Sequence, residues 1–326
     1  MTTTEVCEKY IKPLTDQSKS SYCDLLKHQN HGAVGQATVF ISHAWRYNFL
    51  NVVSALLYHL RGEPDKVIWF DLFSNNQHRA TELPYDWWST TFKTAIEEFG
   101  HTIMVMSPWN DPIPYQRAWC VFEAYCTAST NSKFEIAMSA EDKKAFIDDV
   151  ITNADDKINK MLSIIDSSKS ECWNPNDRES IHTAVKDSVG FSKLNAMLFE
   201  QYRNWVIEVG NNALQKNIDE KKKPDLLHMM AGIYETQAKY QEAQPLYEEC
   251  LQLREELFGR KHSSTLTSIN NLAGLYDSLG LYDKAQPLYE ECLQLTEELF
   301  GKSHPKYISR LRNYNIFKQE QNSREN

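Results

Sequence analysis

The stretch Arg117-Ala118-Trp119-Cys120-Val121-Phe122-Glu123 holds the residue types most able to do chemistry in this chain. A helix over Tyr115 to Thr127 groups Trp119, Cys120, Cys126 and Thr127 around Glu123 at three- and four-residue spacing. These neighbours are apolar or weakly polar. A carboxylate held among them loses hydration, and its pKa rises unless a partner or ligand compensates. Groups perturbed in this way cluster at functional sites. The plain alternative is a solvated glutamate beside a core tryptophan, since most glutamates lie on surfaces.

The elements that must position this group come from an alternation of strands and helices. Ala37 to Ser42 is a short β-rich apolar run, after which Phe49, Val52, Val53, Leu56, Leu57 and Leu60 repeat at helical spacing. Lys66 to Asp71 follows as a strand, Trp88, Phe92, Ala95, Ile96 and Phe99 as a helix stripe, and Thr102 to Met106 as a third strand. Phe134 to Met138 is the fourth. Such alternation implies an α/β domain, a parallel sheet with helices on both faces. Ligands bind such sheets beyond the carboxyl ends of the strands. That rule marks Ser42, His43, Trp45 and Arg46, then Asp71 to His78, then Ser107 to Asp111.

Other classes are excluded by what is missing. GxGxxG, Walker and GxSxG motifs are all absent, which argues against ordinary dehydrogenases, P-loop enzymes and α/β-hydrolases. The net charge of −9 over 326 residues argues against a nucleic-acid footprint, and the one basic cluster, Lys221 to Lys223, reads as a solvated linker. With 41% hydrophobic and 24% charged residues, the composition is that of a soluble protein. No window approaches the roughly 18 apolar residues of a membrane span, and Met1 to Pro13 does not read as a signal peptide, so a cytoplasmic location is expected. Seven scattered cysteines with no CxxC pair fit reduced thiols. Cys23, His28 and His31 match no common zinc spacing, so no metal is expected.

Ala140 to about Val209 reads as a helical extension of the same domain. Phe146, Val150, Ile158, Met161, Leu162 and Ile165 mark its first helix and Leu194, Met197, Leu198, Tyr202 and Trp205 a later one, with turn-rich Ser167 to Arg178 between them. The expected boundaries are a helical lead-in over 1–36, the α/β domain with its extension over 37–212, and a third region over 213–326.

Taken together, Phe40-Ile41-Ser42-His43-Ala44-Trp45, Trp69-Phe70-Asp71, Asn76-Gln77-His78 and Trp119-Cys120-Val121-Phe122-Glu123 resemble the Toll/interleukin-receptor (TIR) family, in its divergent eukaryotic FISHAW branch. The resemblance covers about residues 37 to 139. It implies a flavodoxin-like sheet and, by likeness to the family's enzymatic members, an NAD⁺ glycohydrolase with Glu123 as the catalytic residue. The products would be nicotinamide and ADP-ribose or a cyclised form. It also implies homo-oligomeric assembly and a role in immune or cell-death signalling. Other members are adaptors without activity, which leaves a non-enzymatic scaffold as the alternative. The chain departs from the familiar pattern in its long insertion after the second strand.

The chemistry makes a single carboxylate sufficient. Nicotinamide leaves NAD⁺ as a neutral group and needs no general acid, whereas ordinary glycosidases need two carboxylates. Glu123 could hydrogen-bond the ribose hydroxyls and stabilise oxocarbenium charge. NAD⁺ is thus substrate, and no cofactor is expected. Trp45, Trp109 and Trp119 are candidates for stacking on its rings, or else core packing. His43, Arg46, His78 and Arg117 could contact the pyrophosphate. Gln77 belongs to the loop that would contact substrate, as do Ser42 and Asp71, although Asp71 could equally cap its loop and Ser42 satisfy backbone.

A second signal lies further along. Gln244 to Leu253 recurs without change at Gln286 to Leu295, an offset of 42 residues that Ala231/Ala273, Tyr234/Tyr276 and His262/His304 share. A period of this length means a solenoid of helix pairs. The pattern resembles tetratricopeptide repeats of the long kinesin-light-chain type over about Pro224 to Phe317, with two helix pairs and one further helix. It implies a protein or peptide partner or a contact between copies, or else a structural appendage.

Overall fold

The β-rich runs pair into one sheet in the computed structural model of the chain, which describes all residues except 80, 81, 107, 108, 110, 111, 150–162, 164, 173, 217 and 326. The strands are β1 (Val39–Ser42), β2 (Ile68–Trp69), β3 (His101–Val105) and β4 (Lys133–Ala137). They are parallel, in the order β2-β1-β3-β4, with Phe40 opposite both Trp69 and Thr102, and Met104 opposite both Ser42 and Ile136. β1 and β3 are buried along their whole length, as central strands covered on both faces must be. β2 is shorter than the expected Lys66 to Asp71. The Phe70 N–H donates to Ser74 Oγ at 3.3 Å, and the chain turns at once into a short helix.

The helices of this part are α1 (Tyr22–His28), α2 (Phe49–His59), α3 (Asp71–Ser74), α4 (Tyr85–Phe99), α5 (Ala118–Ser129), α6 (Pro175–Ser188) and α7 (Phe191–Gln215); residues 140–149 are also helical. α2 starts where Asn48 Oδ1 accepts the N–H groups of Leu50 and Asn51. α4 stops at Gly100, whose left-handed φ of 61° a side chain would resist. Strand alternation sends Val39 and Ile41 into a core with Val52 and Leu56 of α2. Phe40, on the other face, stacks on Trp69 and meets Phe92 of α4 edge-on.

The lead-in belongs to this same core. Its helical turns, Thr3–Val6, Cys7–Ile11 and Lys12–Leu14, bury Val6, Cys7 and Ile11 against it. Thr3 N–H donates to Tyr47 O at 3.1 Å and Phe49 N–H to Met1 O at 2.8 Å. The chain divides into two compact units, one over Met1–Asp149 and Asp156–Trp205, the other over Val206–Asn326 together with Val150–Asp155. In the helical extension, Phe146, Ile165, Leu194, Leu198, Tyr202 and Trp205 are buried. Val150, Ile158, Met161 and Leu162, expected on the same stripe, lie outside the described residues.

The second unit is a helical solenoid of α8 (Lys223–Thr236), α9 (Tyr240–Phe258), α10 (Ser263–Ser278), α11 (Tyr282–Phe300) and α12 (Pro305–Glu325). The 42-residue offset is repeated in its contacts. Cys250 Sγ reaches Pro224 O at 3.1 Å, and Cys292 Sγ reaches Leu266 O at 3.2 Å. A Cβ on Gly232 would meet the Tyr247 hydroxyl at 3.6 Å, and one on Gly274 the Tyr289 hydroxyl at 3.4 Å. Small residues therefore stand where a tyrosine of the next helix lies close.

One position breaks the repeat. Arg254 is buried with Asp225 at 2.7 Å and Ser268 Oγ at 2.8 Å. At the equivalent places stand Thr296, Thr267 and Arg310, so the guanidinium has moved to the facing helix and the acid has become a hydroxyl. Buried Arg310 donates to Thr296 Oγ1, with Thr267 Oγ1 at 3.5 Å. Thr267→Asp should restore the counter-ion and raise the solenoid's stability by roughly 1.5–3 kcal/mol, the scale of a hydrogen bond to a charged group, and its unfolding midpoint with it. Far-UV circular dichroism would show it. Tryptophan fluorescence would stay unchanged, because all eight tryptophans lie at or before 205. The gain should vanish in an Arg310→Met background; a gain that survives there refutes the pairing.

Candidate active site

The helix bearing Glu123 begins later than its spacing suggests. Pro112 and Pro114 remove donors, and Ile113–Gln116 forms a 3₁₀ turn. Arg117 is then extended (φ −106°, ψ 121°), so α5 starts at Ala118. The extended residue pairs with the helical extension: Glu171 N–H donates to Gln116 O at 2.8 Å, and Ala118 N–H to Glu171 O at 2.9 Å. Of the twelve residues in α5, eight are buried, Glu123 among them.

Glu123 is only 8% exposed, and its Oε2 has no hydrogen-bond partner. Burial pushes its carboxyl up to about 8; Ser42 and Arg117 work against that rise and Asp71 adds to it. The Ser42 hydroxyl acts without closing a hydrogen bond of good geometry, for Ser42 Oγ is itself unpartnered. At neutral pH the empty site therefore holds Glu123 mostly uncharged.

The carboxyl lines a cavity of about 270 Å³. The exit of β1 supplies His43 and Trp45, and the segment after β2 supplies Asp71, Asn75 and Gln77. α4 contributes Trp88 and Phe92, the start of α5 contributes Arg117, Trp119 and Cys120, and α6 contributes Asp177. Trp45 Nε1–H donates to Asp71 Oδ2 at 2.5 Å, which fixes the indole in the wall. Gln77 Nε2 donates to the carbonyls of Asp71 and Leu72 at 2.8 and 3.2 Å and so braces the loop after β2. His43 stacks on Phe70 at 4.5 Å, and its Nε2 is buried without a partner. Burial holds its pKa below the usual imidazole value and outweighs the opposing pull of Asp71, 3.7 Å from Nδ1. Trp119 meets Phe92 edge-on at 5.4 Å.

The structure thus brings Glu123, Ser42, His43, Trp45, Asp71, Gln77 and Trp119 together around or just behind one cavity. Three expected residues lie elsewhere. Arg46 is exposed and donates to Gln116 Oε1 at 3.2 Å. Trp109 is buried against Phe146 at 5.1 Å, which is core packing; the rest of Ser107 to Asp111 lies outside the described residues. His78 hydrogen-bonds Thr15 Oγ1 at 2.9 Å. Asn75 falls within the loop Asp71 to His78 that the strand-end rule marked, whereas spacing alone did not indicate Trp88, Phe92 or Asp177. Trp88 and Phe92 read as a core stripe, although the Trp87-Trp88 doublet at a helix start was a usable signal. Among the described residues, no three or more His, Cys, Asp or Glu side chains form a group able to hold a metal ion, and no helix is long and apolar enough to cross a membrane.

Residues 224–298 match the tetratricopeptide repeat family, so the solenoid carries tetratricopeptide repeats. No match to the Toll/interleukin-receptor family is found. Among solved structures, the chain is similar to the nearly identical TPR-like repeats of a putative kinesin light chain from Podosopora anserina. That pair is 16% identical over 57% of this chain and 88% of the other, with a TM-score of 0.36. It is also similar to BtubC (BKLC) from P. vanneervenii, at 16% identity over 73% of this chain and 84% of the other, with a TM-score of 0.34. No curated protein matches.

The raised carboxyl has a consequence for stability. Between 4.5 and about 8 the folded state holds a proton on Glu123 that the unfolded chain releases. Its contribution is complete below pH 4.5 and is lost as pH climbs through 8. Glu123→Gln should remove this slope, so that the variant gains on the wild type from pH 5 to about pH 8 and levels off above it. Fluorescence-detected melting of both proteins would show it, and the difference between them isolates Glu123 from His43. Parallel curves would mean that the carboxyl is hydrated.

Proposed function

We propose that the α/β unit is a TIR-like NAD⁺ glycohydrolase in which Glu123 is the catalytic residue. The observation that carries this reading is a buried carboxyl with an unpartnered oxygen, in a cavity walled by Trp45, Trp88 and Trp119 beyond the carboxyl ends of β1 and β2. The strand order 2-1-3-4 supports it, being how the flavodoxin-like order 2-1-3-4-5 begins. Carboxyl and aromatics suit a flat cation: indole faces attract a pyridinium ring, and its charge draws the proton off Glu123.

In the reaction, the bond between the nicotinamide nitrogen and ribose C1′ breaks, and its electron pair stays on the nitrogen. Nicotinamide leaves neutral. Ionised Glu123 faces the oxocarbenium charge that develops on the ribose, an interaction strengthened by the dry surroundings. Water then bonds to C1′ and gives up a proton, for which the carboxylate is the nearest acceptor. The products are nicotinamide and ADP-ribose; capture of C1′ by the adenine would give the cyclic form instead.

The tetratricopeptide repeats take the recruiting role in this reading, since repeats of this kind commonly mediate protein–protein contacts along an extended surface. A protein partner or a second copy of the chain would raise the local concentration of α/β units and so the activity. The test is nicotinamide release from NAD⁺ by purified full-length protein over a range of protein concentrations. Glu123→Gln should lose about 10²-fold or more in turnover, as when an essential electrostatic group is removed. Wild-type activity should rise faster than linearly with protein. No release even from concentrated wild type would favour the non-enzymatic scaffold.

A further inference from the structure

The charges around the cavity bear on which pyridinium compounds it takes. Among the described residues, the carboxylates of Asp71 and Asp177 and the carboxyl of Glu123 line it, against one guanidinium, Arg117. The hydrogen bonds to the two aspartates come from neutral donors: Trp45 Nε1–H and Leu72 N–H to Asp71, Asn174 Nδ2 to Asp177. His43 adds no compensating charge, because burial favours its neutral form. The next arginine beyond β1, Arg46, is exposed and turned to Gln116.

Size points the same way. At about 270 Å³ the cavity falls below the range of roughly 300–1,000 Å³ that encloses drug-sized ligands. It can surround a pyridine ring and one ribose, while the rest of a dinucleotide must extend outside. Glu123 Oε2 and His43 Nε2, on residues more than nine-tenths buried, are the unpartnered polar atoms that the ribose hydroxyls would satisfy.

Resting on the glycohydrolase reading above, we infer that this cavity selects pyridinium ribosides that carry no 5′-phosphate monoester, so that nicotinamide riboside is its best small substrate. The riboside is a net cation entering an acid-lined space. Nicotinamide mononucleotide brings a 5′-phosphate of charge about −1.5 to −2 beside Asp71 and Asp177, with Arg117 the one guanidinium among the described wall residues to meet it. NAD⁺ and NADP⁺ carry singly charged phosphodiesters that lead out of the cavity, and the monoester of NADP⁺ lies on the adenosine, outside it. The bond change is the one already described. The ring nitrogen keeps the electron pair, a water oxygen bonds to C1′, and ribose, nicotinamide and a proton result.

The experiment compares kcat/KM for nicotinamide release from nicotinamide riboside, nicotinamide mononucleotide, NAD⁺ and NADP⁺, using the full chain at low ionic strength. The riboside should exceed the mononucleotide by about tenfold or more, the scale of one close like-charge contact, whereas NAD⁺ and NADP⁺, which differ only outside the cavity, should differ by less. Added salt should shrink the first ratio, and Asp177→Asn should narrow it. If NAD⁺ is cleaved but the riboside is not, or if the mononucleotide equals the riboside, the selectivity is overturned and the glycohydrolase stands. If none of the four yields nicotinamide, the glycohydrolase reading is wrong and this inference falls with it.

Discussion

Desolvation of one carboxyl group organises the α/β unit. Glu123 sits on a helix whose other buried positions are apolar or weakly polar, and it shares the cavity with three indoles. Keeping that group charged without a partner would cost several kcal/mol, so it carries a proton instead. Much of the surrounding structure holds this unfavourable arrangement in place. β2 ends level with Phe40 and β1 runs on to Ser42, Asp71 anchors the Trp45 indole, and Gln77 ties down the loop that follows.

The order of strands and helices was legible because periodicity reports burial directly. β1 and β3 were readable as unbroken apolar runs, and the Phe92 and Ile96 stripe of α4 as one helix face. Edges were less legible. β2 ends early because Ser74 captures the Phe70 amide, and α5 begins late because two prolines and the Glu171 bridge hold Arg117 extended. Both are competitions among local hydrogen bonds, to which a hydrophobic pattern is blind. Within the site, residues close in sequence to strand ends were found, while Asp177 was not. It reaches the cavity from a helix more than fifty residues beyond Glu123, and nothing in its local spacing distinguishes it from a solvated acid. Trp109 failed for the opposite reason: its position after β3 suggested a ligand, but Phe146 takes up its ring.

The second unit shows what a repeat reveals and conceals. Identity over Gln244 to Leu253 and Gln286 to Leu295 settles the helix pairs, and the shared cysteine and glycine contacts follow from it. The departures carry more information than the matches. Where Asp225, Arg254 and Ser268 form one cluster, Thr267, Thr296 and Arg310 form another with the cation on the opposite helix. The two interfaces differ in charge, so the repeats are not interchangeable.

The backbone ladder between Gln116, Ala118 and Glu171 sets a limit on how the molecule can be dissected. It splices the segment after residue 165 onto the first turn of α5, and Asp177 closes the same side of the cavity a few residues later. A fragment trimmed at the end of β4, the natural cut for anyone guided by the sheet, would retain every strand. It would expose the amide of Ala118, free Arg117 from its extended geometry and open one flank of the chamber to water. The minimal autonomous piece is therefore set by a hydrogen-bonded seam rather than by the last strand.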